Sequence, residues 1–140
     1  MDKRLCGERS LMAINIQKQI VYWSEGAKED LDTASILLEK GKNKEALFFA
    51  HLALEKALKA LVAKNTSDVP PYSHDLTFLA KKAGLTLSAD QSHLFNMVNK
   101  FATAGRYPDP EKHGPSKQKA KEIVDEISEV MKWLIRKLSS

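Results

Sequence analysis

Two residues near the C-terminal third of the chain carry the sharpest chemistry in the sequence. Arg106 and His113 are separated by six residues in GRYPDPEKHGPS. A guanidinium can hold a phosphate diester by paired hydrogen bonds, and an imidazole can move the proton of a ribose 2′-hydroxyl. Together they are a minimal kit for RNA cleavage without a metal. Pro108 and Pro110 lie between them, so no helical geometry sets their mutual orientation. The other reading keeps Arg106 as an anchor for its connector, bonding carbonyls or Asp109, with His113 exposed.

The remaining histidines, His51, His74 and His93, sit in three further segments. No histidine pair at i, i+4 carries a carboxylate between its members, and no phosphate-binding glycine loop occurs. Cys6 is the single cysteine, so an internal disulfide or a thiolate metal cluster has no second member. Neither a metal nor another cofactor is expected. His51 lies at the edge of a leucine stripe, either hydrogen-bonded to a neighbouring helix through Asp30 or turned toward a ligand or partner. Trp133 lies on the side of Glu122, Glu126 and Glu129, a candidate partner surface.

These residues are positioned by a chain that reads as helical throughout. The segment Lys44–Lys64, KEALFFAHLALEKALKALVAK, is its centre. Leu47, Leu54, Leu58 and Leu61 form one apolar stripe, while Phe49, Ala53, Ala57 and Ala60 form another. Glu45, Glu55, Lys56 and Lys59 are left as its water-facing charges. A helix apolar on two sides needs cover on two sides.

Residues 1–20 fit no strong pattern and are expected to be an N-terminal extension free to move, followed by a single domain over 21–140. From Tyr22 a helix is indicated by Trp23, Ala27, Leu31, Ala34, Leu37 and Leu38, with Asp30 on the same side. Gly41 ends it, and Asn43 is placed to cap the central helix. Pro70 and Pro71 break the chain. Ser73 is a candidate cap for a short helix closed by Gly84, and Ser88 for a helix over 89–103. The last helix spans about 116–138, with Ala120, Ile123, Ile127, Val130 and Leu134 on its buried stripe. No strand-like alternation occurs. The expected class is all-α, an antiparallel up-and-down bundle of about five helices.

With 140 residues the chain has the size of one domain. A net charge of +4, with lysines interleaved among glutamates, permits contact with nucleic acid without demanding it. No apolar run approaches a membrane span, so no membrane association is expected and the cytoplasm is the default.

Several segments together resemble one family. YWSEGAKEDLDTASILLEKGKNKEALFFAHLALEKALKALV is similar to the first two helices of the HEPN domain (higher eukaryotes and prokaryotes nucleotide-binding). SHDLTFLAKKAG resembles that family's His-Asp-Leu segment, and GRYPDP its Arg-Tyr-Pro tract before the last helix. The resemblance runs from about Tyr22 to Leu138 and implies a bundle of about five helices, often a homodimer. It further implies a partner, a minimal nucleotidyltransferase, in a two-component system of toxin–antitoxin type. Some family members are metal-free ribonucleases with an Arg-x(4–6)-His motif at the dimer interface, a spacing that Arg106 and His113 meet at its upper limit.

On this basis the expected function is nucleotide binding and interaction with the nucleotidyltransferase, without catalysis. Arg106, Tyr107 and His113 would face phosphate and base, with His51 and Asp30 behind them. The alternatives are a ribonuclease toxin cleaving RNA through Arg106 and His113, and an interaction scaffold contacting its partner through Trp133.

Overall fold

The computed structural model describes the backbone of residues 3–104 and 115–140, and the side chains of 15–102 and 115–140. Among the described residues the chain forms five helices and no strand: α1 (Lys3–Glu39), α2 (Asn43–Thr66), α3 (Leu76–Lys82), α4 (Ala89–Ala104) and α5 (Lys117–Ser139). Arg106, Tyr107 and His113 lie outside the described residues.

The all-α expectation is met, and α2 is the element around which the others assemble. It touches all four of the other helices. Leu54, Leu58 and Leu61 are fully buried, as are Ala50, Ala53, Ala57 and Ala60. Small residues on α2 let neighbouring backbones approach, and the leucines fill the space between them. Their partners include Leu76 and Leu79 of α3, Phe95 and Val98 of α4, and Ile123, Ile127, Met131 and Leu134 of α5.

The helix ends show how the chain turns. Gly41 takes φ +78°, the left-handed conformation that closes α1 and lets α2 fold back antiparallel. At the far end, Lys64 of α2 donates to the carbonyls of Lys137 (2.9 Å) and Leu138 (3.1 Å) at the end of α5. Asn43, at the start of α2, donates from Nδ2 to Pro115 O just before α5 (3.4 Å). The two helices therefore run parallel, as the second and fourth of the long helices in an up-and-down bundle must, with the seven-residue α3 set aside. Asn65 Nδ2 donates to Ala83 O (2.8 Å), placing the end of α3 beside the end of α2, and α4 returns from there toward the start of α2.

Several local expectations change. The first helix begins at Lys3, not at Tyr22, and is continuous across residue 20. The segment lacks an apolar stripe but also lacks proline, so nothing stops the helix from propagating. Asn43 does not cap α2: Lys42 occupies the cap position without a side-chain bond, and the amide of Asn43 is turned to Pro115 instead. Asp75, not Ser73, caps α3, accepting from the amides of Thr77 and Phe78. Ser88 does cap its helix, and the structure adds Ser116 as the cap of α5. Ser88 Oγ accepts from Gln91 N while Gln91 Oε1 accepts from Ser88 N, a reciprocal capping box. Ser116 Oγ accepts from Lys119 N.

Candidate functional site

The largest correction concerns the charges of α2. Glu55 and Lys59 do not face water; they are 4% and 5% exposed. With His51, 3% exposed, they follow one another at i, i+4 and i+8, and that spacing draws one continuous stripe along a helix. The stripe is a buried polar seam running between the apolar faces of the helix.

A buried charge is costly unless paired and hydrogen-bonded. Both oxygens of Glu55 are engaged. Oε2 accepts from Lys59 Nζ at 3.2 Å, and Oε1 lies 2.8 Å from His74 Nδ1. His74 comes from the segment between α2 and α3. Because a carboxylate can only accept, the His74 nitrogen facing it is the protonated one, which leaves Nε2 as the second nitrogen of a ring whose side chain is 40% exposed. The Lys59 ammonium lies over two rings, 5.0 Å from the centre of Trp23 and 5.9 Å from that of Tyr72. Both are within the range of cation–π attraction. Trp23 in turn donates Nε1–H to Gln19 Oε1 (2.8 Å) and stands edge-on to Tyr22, 5.0 Å between centres. Tyr72 is edge-on to His74 at 5.4 Å.

His51 continues the network toward α4. It hydrogen-bonds the Asn99 side chain and the His74 backbone. Burial pushes its pKa below the ordinary 6.5, against the upward pull of the Glu55 carboxylate and of those two hydrogen bonds. Asn99 also accepts from Leu76 N (3.1 Å) and donates to Asp75 Oδ1 (3.0 Å). Partial burial works against ionisation of Asp75. Hydrogen bonds from the Thr77 hydroxyl, the Phe78 and Thr77 amides and the Asn99 side chain outweigh it and hold the carboxyl below its ordinary 3.8. The His-Asp-Leu segment is thus fastened at three successive residues: His74 to Glu55, Asp75 to Asn99, and Leu76 into the core.

Of the candidate site residues that are described, Asp30, His51 and Trp133, only His51 enters this cluster. Asp30 is not its partner: its Oδ2 sits 2.7 Å from Lys56 Nζ, a half-buried ion pair on another side of α2. Gly26 makes room for that pair, since a Cβ there would stand 3.0 Å from Lys56 Cδ. Trp133 is not fully exposed either. It is half-buried against the core, with Lys137 Nζ 5.1 Å from its ring centre. Glu55, Lys59, His74 and Tyr72 were missed, and the signal available was the i, i+4, i+8 run of His51, Glu55 and Lys59.

Residues 20–138 match the family model of the HEPN domain. The chain belongs to the HEPN family. Solved structures agree in fold. The HEPN chain described here superposes on TT1696 from Thermus thermophilus with a TM-score of 0.73 at 24% identity, covering 85% of this chain and 98% of the other. With ST0689, an archaeal HEPN homologue, the TM-score is 0.66 at 23% identity, covering 85% and 97%. A comparison with curated proteins found no significant match. Among the described residues, no helix is long and apolar enough to cross a membrane, and no group of three or more histidine, cysteine or acidic residues is placed to hold a metal ion.

Proposed function

We propose that this HEPN domain is a nucleotide-binding and interaction module, dimeric, that acts in the cytoplasm with a minimal nucleotidyltransferase in a two-component, toxin–antitoxin-like system. One observation carries the nucleotide part. The buried Glu55–Lys59 pair supports an exposed ring and a half-exposed imidazole, Tyr72 and His74, side by side. An aromatic face beside a polar atom fixed by a carboxylate is a combination suited to a base and its sugar. Family membership is what supports the pairing and the dimer.

Isothermal titration of the purified protein with nucleotides, together with co-expression beside a minimal nucleotidyltransferase, tests this reading. Saturable nucleotide binding and a co-purifying complex are expected. Absence of both overturns it.

A second reading is favoured by the spacing of Arg106 and His113, which fits the Arg-x(4–6)-His pattern of ribonuclease members of the family. In that reading Arg106 binds the scissile phosphate and His113 transfers the 2′-hydroxyl proton. It requires RNA cleavage in the presence of a chelator, leaving 2′,3′-cyclic phosphate ends. Equal growth arrest by the wild type and by the Arg106→Ala, His113→Ala double variant would rule it out.

A further inference from the structure

The surface above the polar seam has a specific composition. Tyr72 is 91% exposed and Tyr22 66% exposed, and between them lie Trp23 and the buried Lys59 ammonium. Tyr72 makes no hydrogen bond among the described residues, and its ring touches the rest of the fold through the edge of His74 and the cation of Lys59. A tyrosine this exposed adds little to the core, so its position is not explained by packing. The neighbouring imidazole is held by Glu55 at Nδ1. Fixing one nitrogen of an imidazole with a carboxylate sets the tautomer and presents the other as a hydrogen-bond acceptor.

We infer that Tyr72 and His74 form a purine-binding site, in which the base stacks on the Tyr72 ring and His74 Nε2 accepts a hydrogen bond from the nucleotide. This rests on the nucleotide-binding reading above and gives it a place and a ligand class. The cation at one face of Tyr72 draws electron density from the ring, and the opposite face then suits an electron-rich base. A purine offers the larger surface for that contact. Glu55 and Lys59 do not touch the ligand; they are positioning residues, Glu55 through the imidazole and Lys59 through the ring. The same base chemistry can come from a free nucleotide or from a single-stranded RNA, where stacking on aromatic side chains tolerates many sequences. Tyr22, edge-on to Trp23, would supply a second ring only for the RNA.

The exposure of Tyr72 makes the test clean, because Tyr72→Ala leaves the core intact and an unchanged melting temperature confirms it. Titration calorimetry with AMP, CMP, oligo(A) and oligo(U) is run on the full chain and on its Tyr72→Ala, Tyr72→Phe and Tyr22→Ala variants. Tyr72→Ala is expected to weaken AMP or oligo(A) binding about 5- to 150-fold, the range for one lost base–aromatic stack, while Tyr72→Phe retains it. Dependence on Tyr22 for oligo(A) but not for AMP identifies RNA as the source of the base. If AMP or oligo(A) binds equally to wild type and Tyr72→Ala, this site is overturned and the nucleotide-binding function stands. If no nucleotide or oligonucleotide binds, both fall. CMP and oligo(U) binding as tightly as their purine counterparts overturns the ligand class. A Tyr72→Ala variant that loses only dimerisation or its protein partner shows a protein interface instead.

Discussion

Glu55 is the residue on which the most interactions converge. Its two oxygens hold a lysine of its own helix and a histidine of the following segment, so its removal leaves Lys59 buried without a counter-charge. Glu55→Ala is expected to cost about 3–5 kcal/mol in urea unfolding, the scale for breaking a buried pair. A simultaneous change to Leu at Glu55 and Met at Lys59 is expected to recover most of that stability, since an apolar pair of similar size needs no partners. His51 gives the cluster a pH dependence. The folded protein holds its pKa below the ordinary 6.5, so the unfolded chain takes up the proton more readily. This contribution is complete above the unfolded value and is lost as pH falls through the folded one. Melting temperatures measured from pH 7.5 downward should therefore begin to fall below about 6.5, and His51→Gln should flatten that part of the curve.

At the scale of the element, α3 is short, and a seven-residue helix is marginal in isolation. It is held by its cap and by Leu76 and Leu79, both fully buried. Asp75 caps α3 and also bonds Asn99 of α4, so it links two elements. Asp75→Ala is expected to destabilise by about 1–2 kcal/mol, at the upper part of the range for a lost cap. Asp75 is held below its ordinary 3.8, so its contribution is present above that value and disappears as pH falls through the lower, folded one. Chemical denaturation of the variant at neutral pH measures the first effect, and comparison with the wild type at acid pH the second. The longest element behaves differently. α1 has 37 residues against 24 in α2, about 55 Å against about 36 Å at 1.5 Å per residue. It reaches well past the end of the helix on which it packs.

The whole molecule depends on cover around α2. Leu58 is fully buried, and Leu58→Ala is expected to cost about 2–5 kcal/mol, depending on how far its neighbours collapse into the space. Phe48 lies on the same helix but is 39% exposed, and its replacement by Ala should cost distinctly less. Equilibrium unfolding of the two variants compares them directly, and equal losses would show that α2 is not covered as described. Ligand binding acts at this scale too. A nucleotide at 100 times its dissociation constant should add about 2.7 kcal/mol to stability, visible as a higher melting temperature.

Much of this was legible in the residues alone. Helical spacing of Leu47, Leu54, Leu58 and Leu61 marked α2 as the core element, and Gly41 and Ser88 marked helix ends through local chemistry. The order of the His-Asp-Leu and Arg-Tyr-Pro segments pointed to the HEPN family. These features depend on residues near one another in sequence, where geometry is almost predetermined. The site was different. Glu55 and Lys59 look like surface charges because burying either alone is prohibitive, and periodicity carries no information about distant partners. Their burial became possible only when the fold brought His74 from 19 residues away to Glu55, and the rings of Trp23 and Tyr72 to Lys59. The chain's own pattern determined that α2 would be buried; tertiary structure decided that a charged seam would be buried with it.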